Sequence, residues 1–167
     1  MPAAVTIRPA RPDESNVLGE LGFAAWTTGE ISSAAARVDR EHVRRHFLAF
    51  CTTGWETIRV AEMDGRSVGW GSREHRDNVV TDLWVAPRSQ GQGVGKALLD
   101  ALESDIARAG YKTVELETAA INAGGIRFYE RGGYVQVWRK VKFSHGLGQD
   151  VEKVRLVKPL GPVEDCI

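Results

Sequence analysis

The amino-acid sequence predicts an α/β (α+β) fold: a mixed, mainly antiparallel sheet of about six to seven strands flanked by helices. Three features predict it. Two β-rich runs, Ile58 to Glu62 and Ser67 to Arg73, bracket Asp64-Gly65, a pair that tolerates the positive φ of a tight hairpin turn. A β-branched and aromatic run from Val79 to Val85 leads through Pro87 into a glycine-rich loop and then an amphipathic helix. Beyond Gly110, strand-like runs resume and are interrupted by one short helical segment.

Taken in order, Val5 to Arg8 reads as a first strand, closed by Pro9 and Pro12, with Asp13 offering an N-cap to the helix that follows. Val17, Leu18, Leu21, Ala24 and Ala25 form the apolar stripe of that helix. Thr27 to Ala35 reads as loop, and a second helix after Asp39 or Arg40 is marked by Val43, Phe47 and Phe50. The hairpin and the Val79 to Val85 strand come next. Ala97, Leu98, Ala101, Leu102 and Ile106 then share one helical face, and Gly110 supplies the C-terminal stop. Thr113 to Thr118 is a strand, Ala123 to Arg131 a short helix, and Tyr134 to Phe143 with Val151 to Val157 are closing strands. Glycines at 124, 125 and 132 weaken that short helix by about 1 kcal/mol each relative to alanine.

The 167 residues suit one domain over 1–167, and 43% hydrophobic with 26% charged residues places the chain among globular proteins. Lysine plus arginine equals aspartate plus glutamate at 22 each, so no global charge points to nucleic acid or an anionic membrane. No apolar stretch approaches the ~20 residues that span a bilayer, and the N-terminus lacks the apolar core of a secretion signal. A cytoplasmic location is the expectation. Cys51 and Cys166 form no C-x-x-C pair and are expected to be reduced thiols. His42 and His46 are spaced i, i+4, but Val43 stands where a zinc peptidase needs glutamate, so no metal is expected.

The loop between Gln90 and Lys96 carries the chemistry. Gly91, Gly93 and Gly95 let consecutive amide N–H groups turn toward one spot at a helix start, a natural anion cradle. It is neither familiar nucleotide loop. The dinucleotide pattern G-x-G-x-x-G fails because Lys96 or Leu98 occupies its last position, and the pattern G-x-x-x-x-G-K-[ST] fails at Gln90 and at Ala97.

The residues resemble those of the GNAT N-acetyltransferase superfamily. Gln90, Gly93 and Gly95 match its loop pattern [QR]-x-x-G-x-[GA], and Asn122 to Tyr134 is similar to its downstream motif N-x-x-A-x-x-[LF]-Y-E-[KR]-x-G-[FY]. Gly125 replaces the usual alanine, and Gly132 stands where a larger apolar residue is common. The resemblance covers about residues 5–159 and implies a GNAT-like acyl-CoA N-acyltransferase fold.

That resemblance implies acetyl-CoA as acyl donor, its pyrophosphate on the amides of Gln90, Gly91, Gln92, Gly93, Val94, Gly95 and Lys96. Its pantetheine arm would pair with the main chain of Leu83 and Val85, in a gap between that strand and Thr113 to Thr118. Tyr129 is the implied proton donor to the departing thiolate. Asp82, on the opposite strand face from Leu83 and Val85, is the candidate base or ammonium ligand, with Glu117 and Glu74 behind it. Asn122 either binds the arm or caps the helix after it. The implied activity is acetyl transfer to a primary amine, of a small molecule in the first reading, of a protein N-terminus or lysine in the second. A non-catalytic acyl-CoA sensor is the reading of another class. Glu30, Glu74 and Asp82 are candidates for an acidic acceptor pocket, and pairing of C-terminal strands would give a homodimer.

Overall fold

The computed structural model describes residues 3–34 and 37–161. Eight strands form two four-stranded sheets. Strands β1 (Thr6–Pro9), β2 (Ile58–Met63), β3 (Arg66–Ser72) and β5 (Asp82–Val85) lie in that order, all antiparallel. The second sheet has the order β4 (Val79–Val80), β6 (Thr113–Ala119), β8 (Gln149–Pro159) and β7 (Val135–Ser144), with only the β4–β6 pair parallel. The β2–β3 turn is the expected one, with Asp64 and Gly65 at φ of 49° and 73°.

The expected single strand from Val79 to Val85 is therefore two. Val79 and Val80 pair with Glu115 and Leu116 of β6, whereas Asp82 to Val85 pair with β3. Thr81 is the switch: its N–H donates to the Ser72 carbonyl at 2.9 Å and its hydroxyl donates there at 3.2 Å. Past Leu116, β6 stays with β8, and a gap opens between β5 and the end of β6.

Helix α4 (Val94–Arg108) spans both sheets from one side. Val94 and Leu98 pack on Ala61, while Leu99, Leu102 and Ile106 pack on Val80, Val114, Leu116, Val154 and Leu156. Its buried stripe runs through Leu99 instead of the expected Ala97 and Ala101. Gly110, φ 94°, ends it where expected, with Tyr111 N–H donating back to the Ile106 carbonyl and Gly110 N–H to that of Ala107.

On the other face of the first sheet lie α1 (Ser15–Thr27) and α3 (Arg40–Thr53), the latter capped by Asp39 through the N–H groups of Glu41 and His42. Asp13 caps nothing: a 3₁₀ turn, Pro12–Glu14, precedes α1, and Glu14 accepts the Arg11 N–H while pairing with Arg8 at 2.5 Å. The α1 stripe is Leu18, Gly19, Gly22, Ala25 and Trp26, and Val17 is 60% exposed. The segment expected to be loop holds a short helix, α2 (Glu30–Ala34). Trp70 anchors the layer, fully buried, stacked on Phe50 and edge-on to Phe47, its indole N–H donating to the Leu18 carbonyl at 2.8 Å. The remaining helix, α5 (Ala123–Arg131), has the expected bounds.

The two glycines in the α1 stripe set the distance between α1 and α3. A Cβ on Gly19 would lie 2.9 Å from Leu48 Cα, and one on Gly22 would lie 2.7 Å from the Phe47 ring. Gly19→Val is expected to destabilise the fold by about 2 kcal/mol or more through overpacking, read as a lower urea midpoint at unchanged m-value.

Candidate active site

The glycine loop ends in an uncapped helix. Gly91 and Gly93 hold φ of 74° and 82° with open space where a Cβ would stand, so their backbone conformation, not crowding, requires glycine. Gly93 is the N-cap of α4 and offers no side-chain acceptor, leaving the N–H groups of Val94, Gly95 and Lys96 available. Ser89, Gln90, Gly91, Gly93, Val94, Gly95 and Lys96 line one side of a cleft of about 700 Å³. Positive dipole and free amides together make an anion site there. The Gln90 amide donates to the Val85 carbonyl at 3.3 Å, tying the loop to β5. Gln92 donates to the Arg88 carbonyl and does not line the cleft. The Lys96 ammonium is paired with Asp100 at 2.6 Å, which raises its pKa.

The floor is the unpaired side of β5. Ala86 N–H donates to the Val68 carbonyl at 2.8 Å, and antiparallel alternation then turns the main-chain groups of Leu83 and Val85 away from β3, toward the gap. Both residues line the cleft. Their side chains join the α4 side of the core, whereas Trp84 lies on the α1 side, edge-on to Phe47 with ring centroids 5.0 Å apart.

Helix α5 forms the far wall. Asn122 lines the cleft and is also the cap, its Oδ1 accepting from Gly125 N–H at 3.2 Å and its Nδ2 donating to Thr118 Oγ1 at 3.0 Å. A Cβ on Gly125 would fall 2.3 Å from that amide nitrogen, so the glycine that lowers helix propensity makes room for the cap. Tyr129 lines the cleft half-buried, packed edge-on to Phe128 and Tyr134. Its hydroxyl has no hydrogen-bond partner among the described residues, and burial with the nearby Asp82 charge raises its pKa, so it holds its proton. Arg131, unremarked in the sequence beyond its motif position, lines the same cleft.

Asp82 does not line the cleft directly. Its Oδ1 accepts the Trp84 indole N–H at 3.2 Å, and burial pushes its pKa up to about 6, against the pull of hydrogen bonds from Trp84 and Thr81 and with a smaller push from Glu74. The expected acidic trio does not act as one group. Glu74 is exposed and Glu30 sits on the opposite wall, accepting Ala123 N–H at 2.8 Å. Glu117 is held by Lys142 at 2.9 Å and Arg155 at 3.0 Å, which commits it to an ion-pair network.

The near wall is the end of α1 and the start of α2, through Ala25, Trp26, Thr28, Gly29, Glu30 and Ile31. Beyond β6 the β7–β8 turn reaches α3, where His42 Nε2 meets the His145 carbonyl at 3.2 Å and Leu147 packs on the α1–α3 core. No group of three or more His, Cys, Asp or Glu among the described residues could hold a metal ion. Cys51 is buried with its thiol pushed up to about 12, and Cys166 lies outside the described residues. No described helix is long and apolar enough to cross a membrane.

The profile of the acetyltransferase (GNAT) family matches residues 24–134. A mycothiol acetyltransferase of Propionibacterium freudenreichii is 32% identical over 91 residues, which is 54% of this chain and 26% of that protein. The catalytic subunit naa20 of the N-terminal acetyltransferase B complex of Schizosaccharomyces pombe is 35% identical over 98 residues, 58% of this chain and 53% of that protein. The chain thus matches about half or less of the length of these curated relatives. A GCN5-related N-acetyltransferase from Rhodopseudomonas palustris shares the fold with a TM-score of 0.78 at 22% identity, over 96% of this chain and 98% of that one. The yncA protein of Salmonella typhimurium, solved with acetyl-CoA, does so with a TM-score of 0.63 at 20% identity, over 99% and 100%.

Because the native state holds the Asp82 proton more tightly than the unfolded chain does, its contribution to stability is full below the ordinary carboxylate pKa of 3.8 and is lost as pH rises through about 6. Asp82→Asn keeps the acceptor for Trp84 but cannot ionise. Its melting temperature is expected to gain on that of the parent as pH rises from about 4 to about 7, and a pH-independent difference would contradict the assignment.

Proposed function

The chain belongs to the acetyltransferase (GNAT) family, and from that membership we propose that it moves the acetyl group of acetyl-CoA to the primary amine of a small molecule, by direct transfer with both substrates bound. One observation carries the reading: an anion cradle, an unpaired strand edge and a phenol that keeps its proton line a single cleft. The donor fits these residues. Free amides at the start of α4 suit a pyrophosphate, and the outward main-chain groups of Leu83 and the Val85 N–H suit the amides of a pantetheine arm, the Val85 carbonyl being held by Gln90. Acetyl-CoA supplies an activated acetyl group as a thioester.

The protein's own part is to orient, to polarise and to move protons. A main-chain N–H of β5 facing the gap is placed to polarise a carbonyl. The Tyr129 hydroxyl holds the proton a departing thiolate needs. Asp82, with its pKa pushed up to about 6, is ionised at neutral pH and, standing behind the cleft, can take a proton from the incoming ammonium through water. A small acceptor is the first reading, since the β7–β8 turn is folded down on α3 and does not stand open as a groove for an extended chain.

Incubation with acetyl-CoA and a mixed set of small amines and peptides, followed by thiol release and product mass, tests the reading. Acetylated small amines support it; acetylated peptides alone transfer the activity to protein acceptors, and acetyl-CoA binding without release in any mixture leaves a sensor. Tyr129→Phe is expected to lower kcat about 100-fold or more while leaving the Kd for acetyl-CoA unchanged. Gly93→Val, forced out of its positive φ, is expected to raise that Kd at least about tenfold by calorimetry, with an unchanged value refuting the loop assignment.

A further inference from the structure

A second hollow, of about 370 Å³, shares no lining residue with the cleft. It lies between the start of β2, the turn after β3 and the last turn of α4, and Arg59, Arg73, Arg76 and Arg108 line it. Two carboxylates, Glu56 and Asp105, face them, so the hollow carries an excess of two positive charges in a chain whose total charge is balanced. Two of the guanidinium groups are fixed. Arg59 donates through Nε and Nη2 to Asp105 at 2.8 and 3.0 Å. Arg73 donates through the same two atoms to the Asp77 carbonyl, and its Nη2 also reaches that of Arg76. Each spends one edge of its fork and keeps an Nη1 that has no hydrogen bond among the described residues. Arg73 is half-buried, yet no carboxylate among the described residues pairs with it. The other two cations are held loosely. Arg76 meets Glu56 at 3.4 Å with both side chains largely exposed, and Arg108 shares Asp105 with Arg59 from 3.6 Å. Arg76 also holds a φ of 54°, a conformation costly to a residue with a long side chain and one that persists where the surroundings enforce it. The negative end of α4 is already answered, since the N–H groups of Ala109, Gly110 and Tyr111 donate to its last carbonyls.

We propose that this hollow binds a small phosphomonoester as its dianion, with Arg59 and Arg73 donating from fixed positions and Arg76 and Arg108 closing on it from the exposed rim. Charge selects the valence. A dianion balances the excess of two, whereas a monocarboxylate leaves one guanidinium unmatched. Shape selects the phosphate. Its three free oxygens lie in different directions and suit donors that arrive from β2, from the turn after β3 and from α4, whereas the planar pair of a carboxylate suits one fork, as Asp105 already shows on Arg59. The proposal stands apart from the acetyl-transfer reading, because neither the cleft nor its chemistry enters it.

The test titrates glycerol 3-phosphate into the full chain by calorimetry at pH 7.5 and fixed ionic strength. The parent is expected to bind it with a Kd of about 1 mM or below. Arg76→Gly removes a guanidinium and relieves the positive φ, and Arg108→Gln changes an exposed helix end, so neither is expected to lower the melting temperature. Each is expected to raise the Kd about fivefold. Gly93→Val, which alters the loop of the cleft and leaves the hollow intact, is expected to keep the parent value. Glycerate, a monocarboxylate of similar size, is expected to bind about tenfold more weakly than glycerol 3-phosphate. Absence of saturable binding overturns the proposal, as does a Kd unchanged in either arginine variant. A loss confined to Gly93→Val gives the anion to the cleft instead, and equal binding of glycerate removes the phosphate from the proposal; both overturn it.

Discussion

A strand has two edges, and the run from Val79 to Val85 cannot give both of its edges to neighbours along its whole length. At Thr81 it exchanges one partner for another: β4 belongs to β6, β5 belongs to β3, and the second edge of β5 is left facing a gap. Unpaired main-chain groups in a protein must meet water or a ligand. Everything that makes the cleft follows from that parting. The loop after β5 ends in α4, whose uncapped amides face the same space, and α5 docks at the divergence through Asn122 and Thr118. Closing the ladder between β5 and β6 would remove the cleft while leaving the hydrophobic core nearly as it is, so the opening is a property of pairing, not of packing.

Burial then sets the protons. Asp82 and Tyr129 are both pushed upward by desolvation, but from such different starting values that the outcomes are opposite. The carboxyl titrates near neutrality and the phenol stays protonated throughout the physiological range. Ionised Asp82 makes ionisation of Tyr129 harder still. Other acids near the second sheet have close partners: Glu117 is paired with Lys142 and Arg155, and Glu103 is paired with Lys158 and accepts the Tyr134 hydroxyl. Those groups are committed to ion pairs, whereas Asp82 and Tyr129 have no cationic partner among the described residues.

Much of this was legible in local sequence wherever one residue type has one physical use. Asp64-Gly65, the helix start after Asp39, the Gly110 stop and the glycine loop all stand where the residues indicated, whereas the Asp13 cap does not. The break at Thr81 was not legible, because VVTDLWV has unbroken β propensity and the change of partner is decided by strands far away in sequence. Helix α2 was missed because five residues are too few to display a period. Counting hydrophobic residues runs the α1 stripe through Val17 and overlooks Gly19 and Gly22, small residues that bury by letting another helix approach. At the site, Arg131 and Trp26 carry no spacing signal of their own. Only the fold shows that one borders the cleft and that the other lacks a partner for its N–H.

The glycines of α5 looked like a weakness and are better described as an exchange. None of the nine residues of the helix is fully buried, so packing alone holds it lightly. Two glycines in its first turn cost about 1 kcal/mol each in propensity. Against that, Gly125 is what allows Asn122 to cap the helix, a contact of about 1 kcal/mol, and Glu30 adds a carboxylate on Ala123 N–H at the positive end of the dipole. The terms nearly cancel, so α5 is held by the packing of Ile126, Phe128 and Tyr129 on the second sheet's core together with these polar contacts at its start. Because Glu30 belongs to α2, those contacts join the two walls of the cleft. The segment carrying Trp26 and the helix carrying Tyr129 are therefore tied to each other through the Glu30 carboxylate on Ala123 N–H.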